Sequence, residues 1–168
     1  MISRPACAIS DTSPLSAMAI MGWLPWLKER WGIVLVPQEV WHELERIGDD
    51  AAFDSLLAAR ESGLIEVTVA PPFFRPDCSH LHAGELADIS LSLERKAQWL
   101  IVDDGDARKA AKALGLRIIG LLGMMVWAKK QGHLERVGPA IDEVRQRTGF
   151  RLSAEVVEQV LSDLGEIP

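Results

Sequence analysis

Two four-residue apolar runs constrain the fold more than any other feature of the chain. "IVLV" (33–36) and "WLIV" (99–102) are too short for buried helices and show no polar alternation. Such runs suit strands buried on both faces, the condition of a parallel sheet covered by helices. A third apolar run, Ala6 to Ile9, reads as the first strand. "LIEVTVA" (64–70) alternates in part, as a strand near an edge does, and "LRIIG" (116–120) reads as a last strand. Helical segments separate these runs. Ser13-Pro14 opens the first helix, with a hydroxyl cap and a proline in its first turn. That helix carries Leu15, Met18, Met21 and Leu24, is interrupted at Pro25 and stops at Gly32. "PQEVWHELERIG", "DDAAFDSLLAARESG", "HAGELADISLSLERKA", "DDGDARKAAKALG" and "LLGMMVWAKKQG" are further helices, the second capped by Asp49 or Asp50. A C-terminal helical pair covers about 136–165. The alternation argues for an α/β fold with a mainly parallel sheet. No repeat or linker divides the 168 residues, so one domain over 1–168 is expected.

Net charge bears on partners. At −6, bulk attraction does not bring this chain to a polyanion, so nucleic acid would have to be held by local basic patches and metal. No apolar run reaches the roughly 18 residues of a membrane span, and no basic segment followed by a long apolar run marks a signal peptide. The two cysteines, Cys7 and Cys78, form no disulfide framework, so a cytoplasmic setting is expected. Cys78, His80 and His82 alternate but have no fourth ligand nearby, and read as a plain loop after "PPFFRPDCS".

The acids fall in a pattern. In open parallel sheets, ligands bind beyond the carboxyl ends of the strands. The first strand reaches Asp11 one residue after Ile9, and "WLIV" runs directly into Asp103-Asp104, with Asp106 two residues on. If the strands are parallel, both acidic ends share one rim. Glu43 lies on the helix after the second strand. Glu85 and Asp88 are spaced i, i+3 on the helix before "WLIV" and share a face. Each acid alone has a plainer reading. Asp11 and Asp103 read as N-caps, Glu43 as a solvated partner of Arg46, and Glu85 as a residue favoured by the helix dipole. Together, and with a doublet no single cap needs, they suit a hard divalent cation such as Mg²⁺. Such an ion polarises a phosphoryl oxygen and acidifies a bound water, the two requirements of phosphodiester hydrolysis.

"ISDTSPL", "VPQEVWHEL", "HAGELADISLSLE" and "LIVDDGDARKAA" occur in the order and spacing of PIN domains. They resemble most the compact bacterial and archaeal branch related to VapC-type toxins, and the similarity covers nearly the whole chain. The resemblance implies a three-layer α/β/α sandwich and a Mg²⁺- or Mn²⁺-dependent ribonuclease leaving 5′-phosphate and 3′-hydroxyl ends. By position it implies site acids at Asp11, Glu43, Glu85 and the Asp103/Asp104 doublet; the resemblance leaves the member of the doublet open, and Asp104 is taken as its metal ligand. Ser13, Asp88 and Asp106 take supporting places. Arg108, Lys109 and Lys112, just beyond the doublet, are the candidate phosphate contacts. The resemblance further implies RNA as substrate, a homodimer, and a small antitoxin partner. Two other classes remain. A phosphoacceptor receiver-like domain would want a lysine after a later strand, but Gly120-Leu121-Leu122-Gly123 follows "LRII". A catalytically inactive PIN-like binding or interaction module would keep the fold and lose the chemistry.

Overall fold

The computed structural model describes Cys7–Pro168; Ala6, the expected start of the first strand, lies outside the described residues. Two compact units are present, one ending at Ile119 and the other spanning Gly120–Pro168. The first holds β1 (Cys7–Ser10), α1 (Thr12–Met21), α2 (Leu24–Trp31), β2 (Ile33–Pro37), α3 (Gln38–Leu44), α4 (Asp50–Glu61), β3 (Ile65–Thr68), α5 (Ala83–Arg95), β4 (Trp99–Ile101), α6 (Gly105–Ala113) and β5 (Ile118–Ile119). The second holds α7 (Leu121–Gln131), α8 (Val137–Thr148) and α9 (Ala154–Asp163). Among the described residues no helix is long and apolar enough to cross a membrane.

The five strands form one sheet in the order β3-β2-β1-β4-β5, and every pairing is parallel. With its covering helices this is the expected α/β/α sandwich. The apolar runs behave as their composition requires. Ile9, Val34, Val36, Leu100 and Ile101 are sealed between the helical layers, and each such side chain contributes about 1.5–3 kcal/mol on burial. β3 is an edge strand, which explains its partial alternation: Glu66 is exposed while Ile65 is buried. Cys78 turns into the core beside Ile89 and Leu91, and Cys7 packs against the same cluster. His80 stays exposed, so the alternating Cys and His residues do not converge.

The first helix departs from expectation in two ways. It ends at Met21, where Gly22 adopts a left-handed conformation at φ 73°, and not at Pro25. Pro25 sits in the first turn of α2, where its missing N–H costs nothing. The N-cap position is Asp11, two residues before Ser13, and α1 already includes Thr12.

The order of the strands positions the site. From β1 the chain moves outward to β2 and β3, then returns to lay β4 on the other side of β1. The β1/β4 boundary is therefore the switch point, where neighbouring connections diverge and leave a crevice at the carboxyl ends. Asp11 follows β1 there, and its N–H donates to the Ile101 carbonyl at 2.9 Å, tying it to the end of β4.

Candidate active site

A cavity of about 250 Å³ opens at this crevice, lined by Asp11, Thr12, Ser13, Glu43, His82, Glu85 and Asp104. Four carboxylates thus arrive from four places: the end of β1, α3, the start of α5, and the turn after β4.

Each is held differently. Glu43 is fixed by Thr12, whose hydroxyl donates to Glu43 Oε2 at 2.6 Å. Thr12 has no assigned role in the motif reading, and the Asp-Thr-Ser order conceals that the first hydroxyl, not Ser13, reaches an acid. Glu85 Oε2 accepts the His82 N–H at 2.9 Å, so Glu85 closes the first turn of α5 while facing the cavity. Asp104 caps α6, its Oδ1 accepting the N–H groups of Asp106 and Ala107, both at 3.0 Å. Glu85 and Asp104 thus each hold a helix start and line the site at once, and the cap of α6 falls on Asp104, not on Asp103.

The doublet divides. Asp104 faces the cavity and Asp103 is not among its lining residues. Asp106 contributes its N–H to Asp104 and leaves its side chain exposed. Of the candidate cations, Arg108 is committed in part to the end of β4, donating from Nη1 to the Val102 carbonyl at 2.8 Å. Lys109 and Lys112 are exposed on α6, whose buried face is formed by Ala107 and Ala111.

Asp88 lies beneath the cavity rather than in it. It is 1% exposed, and both carboxyl oxygens lack a donor among the described residues. Its neighbour is Asp11. Burial pushes the Asp88 carboxyl well above the usual range, and the charges of Asp11, Glu43 and Glu85 add to this. Burial also raises Asp11, against the lowering effect of the Thr12 N–H and of Asp88 itself. As two carboxylates the pair has no hydrogen to share, which is why the Asp88 oxygens stand without partners. With one proton, residing on Asp88, the contact becomes a hydrogen bond that lets Asp11 ionise.

Gly84 allows the site to close up. A Cβ at this position would meet Glu43 Oε1 at 3.0 Å and Val40 Cγ2 at 3.6 Å, so a side chain here would push the Glu43 carboxylate aside. Glu43 is thus confined from one side by Thr12 and from the other by the Gly84 backbone. Thr12→Val and Gly84→Ala should each lower activity roughly tenfold, the scale for loss of a group that orients a ligand. Because both act on one carboxylate, the double variant should lose less than the product. Kinetics of the three proteins check this; fully multiplicative losses, or none, would refute the shared role.

The donor set is entirely oxygen and suits a hard divalent cation. Among the described residues, no three His, Cys, Asp or Glu side chains already converge as an ion's ligand set. The cavity has room for the waters such a cation retains, and a positive charge would offset the burial cost, and the lesser carboxylate repulsion, that raise Asp11 and Asp88. The residues therefore fit a hydrated divalent cation, and Asp11, Glu43, Glu85 and Asp104 are the ones that would hold it.

Fold and crevice together define an α/β protein with a carboxylate-lined site at the switch point of a parallel sheet. The chain belongs to the PIN-domain family, whose model matches residues 7–166. Proteins of this family are generally nucleases that use divalent metal ions. A PilT N-terminus domain protein from the hyperthermophilic archaeon Sulfolobus solfataricus shares the fold at a TM-score of 0.54 and 21% identity, over 73% of this chain and 92% of that one. No curated protein matches the sequence.

Proposed function

We propose that this chain is a divalent-metal-dependent endoribonuclease, the toxin of a toxin–antitoxin pair, acting as a cytoplasmic homodimer. The observation that carries the nuclease reading is the meeting of four carboxylates, from four separate places in the chain, in one cavity at the β1/β4 switch point. A bound divalent cation supplies Lewis-acid polarisation of a phosphoryl oxygen and a more acidic water. The chain's own residues set the geometry. Thr12 orients Glu43, the His82 N–H orients Glu85, and two N–H groups of α6 orient Asp104. The Asp11–Asp88 pair holds one proton at Asp88 and keeps Asp11 available as an anion. Support for RNA and for the antitoxin comes from the motif resemblance to the VapC-related branch.

A second reading, a PIN-like binding module without catalysis, is favoured by one observation: among the described residues the acids do not already converge as a ligand set. Calorimetric titration with Mn²⁺ and an RNA cleavage assay in the same buffer separate the two. The nuclease reading expects saturable binding and metal-dependent cleavage, both lost on substitution of Asp104 by Asn. Absence of binding at millimolar Mn²⁺ would establish the binding module instead.

A further inference from the structure

We infer that a second cavity beside the site is a nucleobase subsite selective for guanine; this rests on the reading of the chain as an RNA-acting protein. The cavity, of about 280 Å³, is lined by Pro71, Pro72, Phe73, Leu86 and Ala87, with Glu39 among its wall residues. Its walls are fixed in place. The buried Ser90 hydroxyl donates to the Pro71 carbonyl at 2.5 Å, fastening the loop to α5. Phe73 and Leu86 are partly buried and pack on the core cluster. A rigid slot of this kind suits a flat aromatic guest, because little freedom is lost when it fills.

Position and charge select the guest. Glu39 is four residues before Glu43 on α3, about 6 Å along the axis, and Leu86 and Ala87 follow Glu85 directly on α5. The slot and the acid site therefore share two helices. A base splayed from a strand whose phosphodiester lies at the acids can enter it. Glu39 repels phosphate and accepts hydrogen bonds, so it faces the donor edge of a base and not the backbone. No hydrogen bond or ion pair engages its carboxylate among the described residues, which leaves both oxygens open to a ligand. Guanine alone offers two adjacent donors, the ring N1–H and the exocyclic N2 amino group, and can meet both oxygens at once. Adenine and cytosine offer an amino donor next to a ring acceptor. Uracil offers one N–H between two carbonyls that a carboxylate repels.

The test is fluorescence anisotropy with the labelled hexaribonucleotides UUGUUU, UUAUUU, UUCUUU and UUUUUU. The full-length Asp11→Asn protein in Mg²⁺ serves as the background. The guanine-containing strand should bind about 5- to 30-fold tighter than the all-uridine strand, the scale of a bidentate base contact. Glu39→Gln, at an exposed helix position, should remove most of that difference and leave uridine binding unchanged. Phe73→Ala should weaken all four strands about tenfold, as loss of a stacking face does. Should Phe73→Ala fail to fold, Glu39→Gln alone decides. Equal affinity for the four strands, or a guanine preference that survives Glu39→Gln, overturns the subsite. So does unchanged RNA binding in both variants together with loss of a co-purifying protein, which would make the slot a protein contact. Guanine selectivity that depends on Glu39, in a wild-type protein that cuts no RNA, would uphold the subsite and reject the nuclease.

Discussion

Asp11→Asn should abolish cleavage and, in metal-free protein, raise the melting temperature. Asp11 is 8% exposed and lies against the fully enclosed Asp88. Replacing its carboxylate removes a ligand from the cavity, with an expected loss of about a thousandfold, or roughly 4 kcal/mol of transition-state stabilisation. The same change removes a buried charge and gives Asp88 an amide donor. A gain of about 1–2 kcal/mol, or about 2–8 °C in Tm, should follow. The sign of the pH dependence agrees. Both folded carboxyls bind protons more readily than in the unfolded chain, so the pair's own contribution to stability is most favourable at acid pH. It falls as pH rises from the ordinary carboxyl value of 3.8 through the raised folded values. Mn²⁺ should therefore raise Tm more at pH 7 than at pH 4 in the wild type, and little at either pH in Asp11→Asn. Scanning calorimetry at two pH values checks this. An Asp11→Asn protein less stable than wild type without metal would show that the buried Asp11 charge does not burden the fold.

Glu166→Ala should destabilise the second unit. The Glu166 side chain is 4% exposed, and its oxygens accept from Lys129 Nζ at 2.8 Å and from the N–H groups of Val137 and Gly138 at 2.7 and 2.8 Å. Arg136, the N-cap residue of α8, makes no side-chain cap, so a carboxylate from the far end of the chain satisfies the first turn. Burial alone would raise the Glu166 carboxyl. Lys129 and the two N–H groups outweigh it and bring it from 4.5 down to about 2. That depression corresponds to no more than roughly 3 kcal/mol. Its stabilising effect is complete above 4.5 and disappears as pH falls from there through about 2. Removing the carboxylate should lower Tm by about 4–10 °C at neutral pH. The gap to wild type should narrow toward pH 2. Coincident melts of the two proteins at pH 7 would refute the clamp.

Much of this was legible in the sequence because the signals were local. A four-residue apolar run flanked by helical periodicity has few alternatives to a buried parallel strand, and β2 and β4 appear where "IVLV" and "WLIV" stand. The acids at strand ends were legible for the same reason, since a parallel sheet places those ends on one rim. What was hidden depends on distance along the chain. Thr12 and Glu43 are 31 residues apart, and nothing local announces their hydrogen bond. Asp88 carries an i, i+3 relation to Glu85 that is compatible with a shared cavity, yet its helix buries it below the floor. Gly84 reads as an ordinary glycine near a helix start until α3 is placed against it. Glu166, near the chain end, gave no hint of a role, because its partners come from two other helices.

The double employment of Glu85 and Asp104 affects how relatives of this chain should be read. Both carboxylates hold the first turn of a helix whether or not any ion or substrate is ever bound. A lineage that abandoned catalysis would still be under pressure to retain them, so their persistence across sequences says little about activity. Asp88 gives the opposite signal. Two enclosed oxygens without donors weaken the fold, and a chain released from its chemistry should lose that aspartate early, to asparagine, serine or alanine. Among homologues, the residue at position 88 should separate working nucleases from retired ones more sharply than the exposed acids that line the cavity.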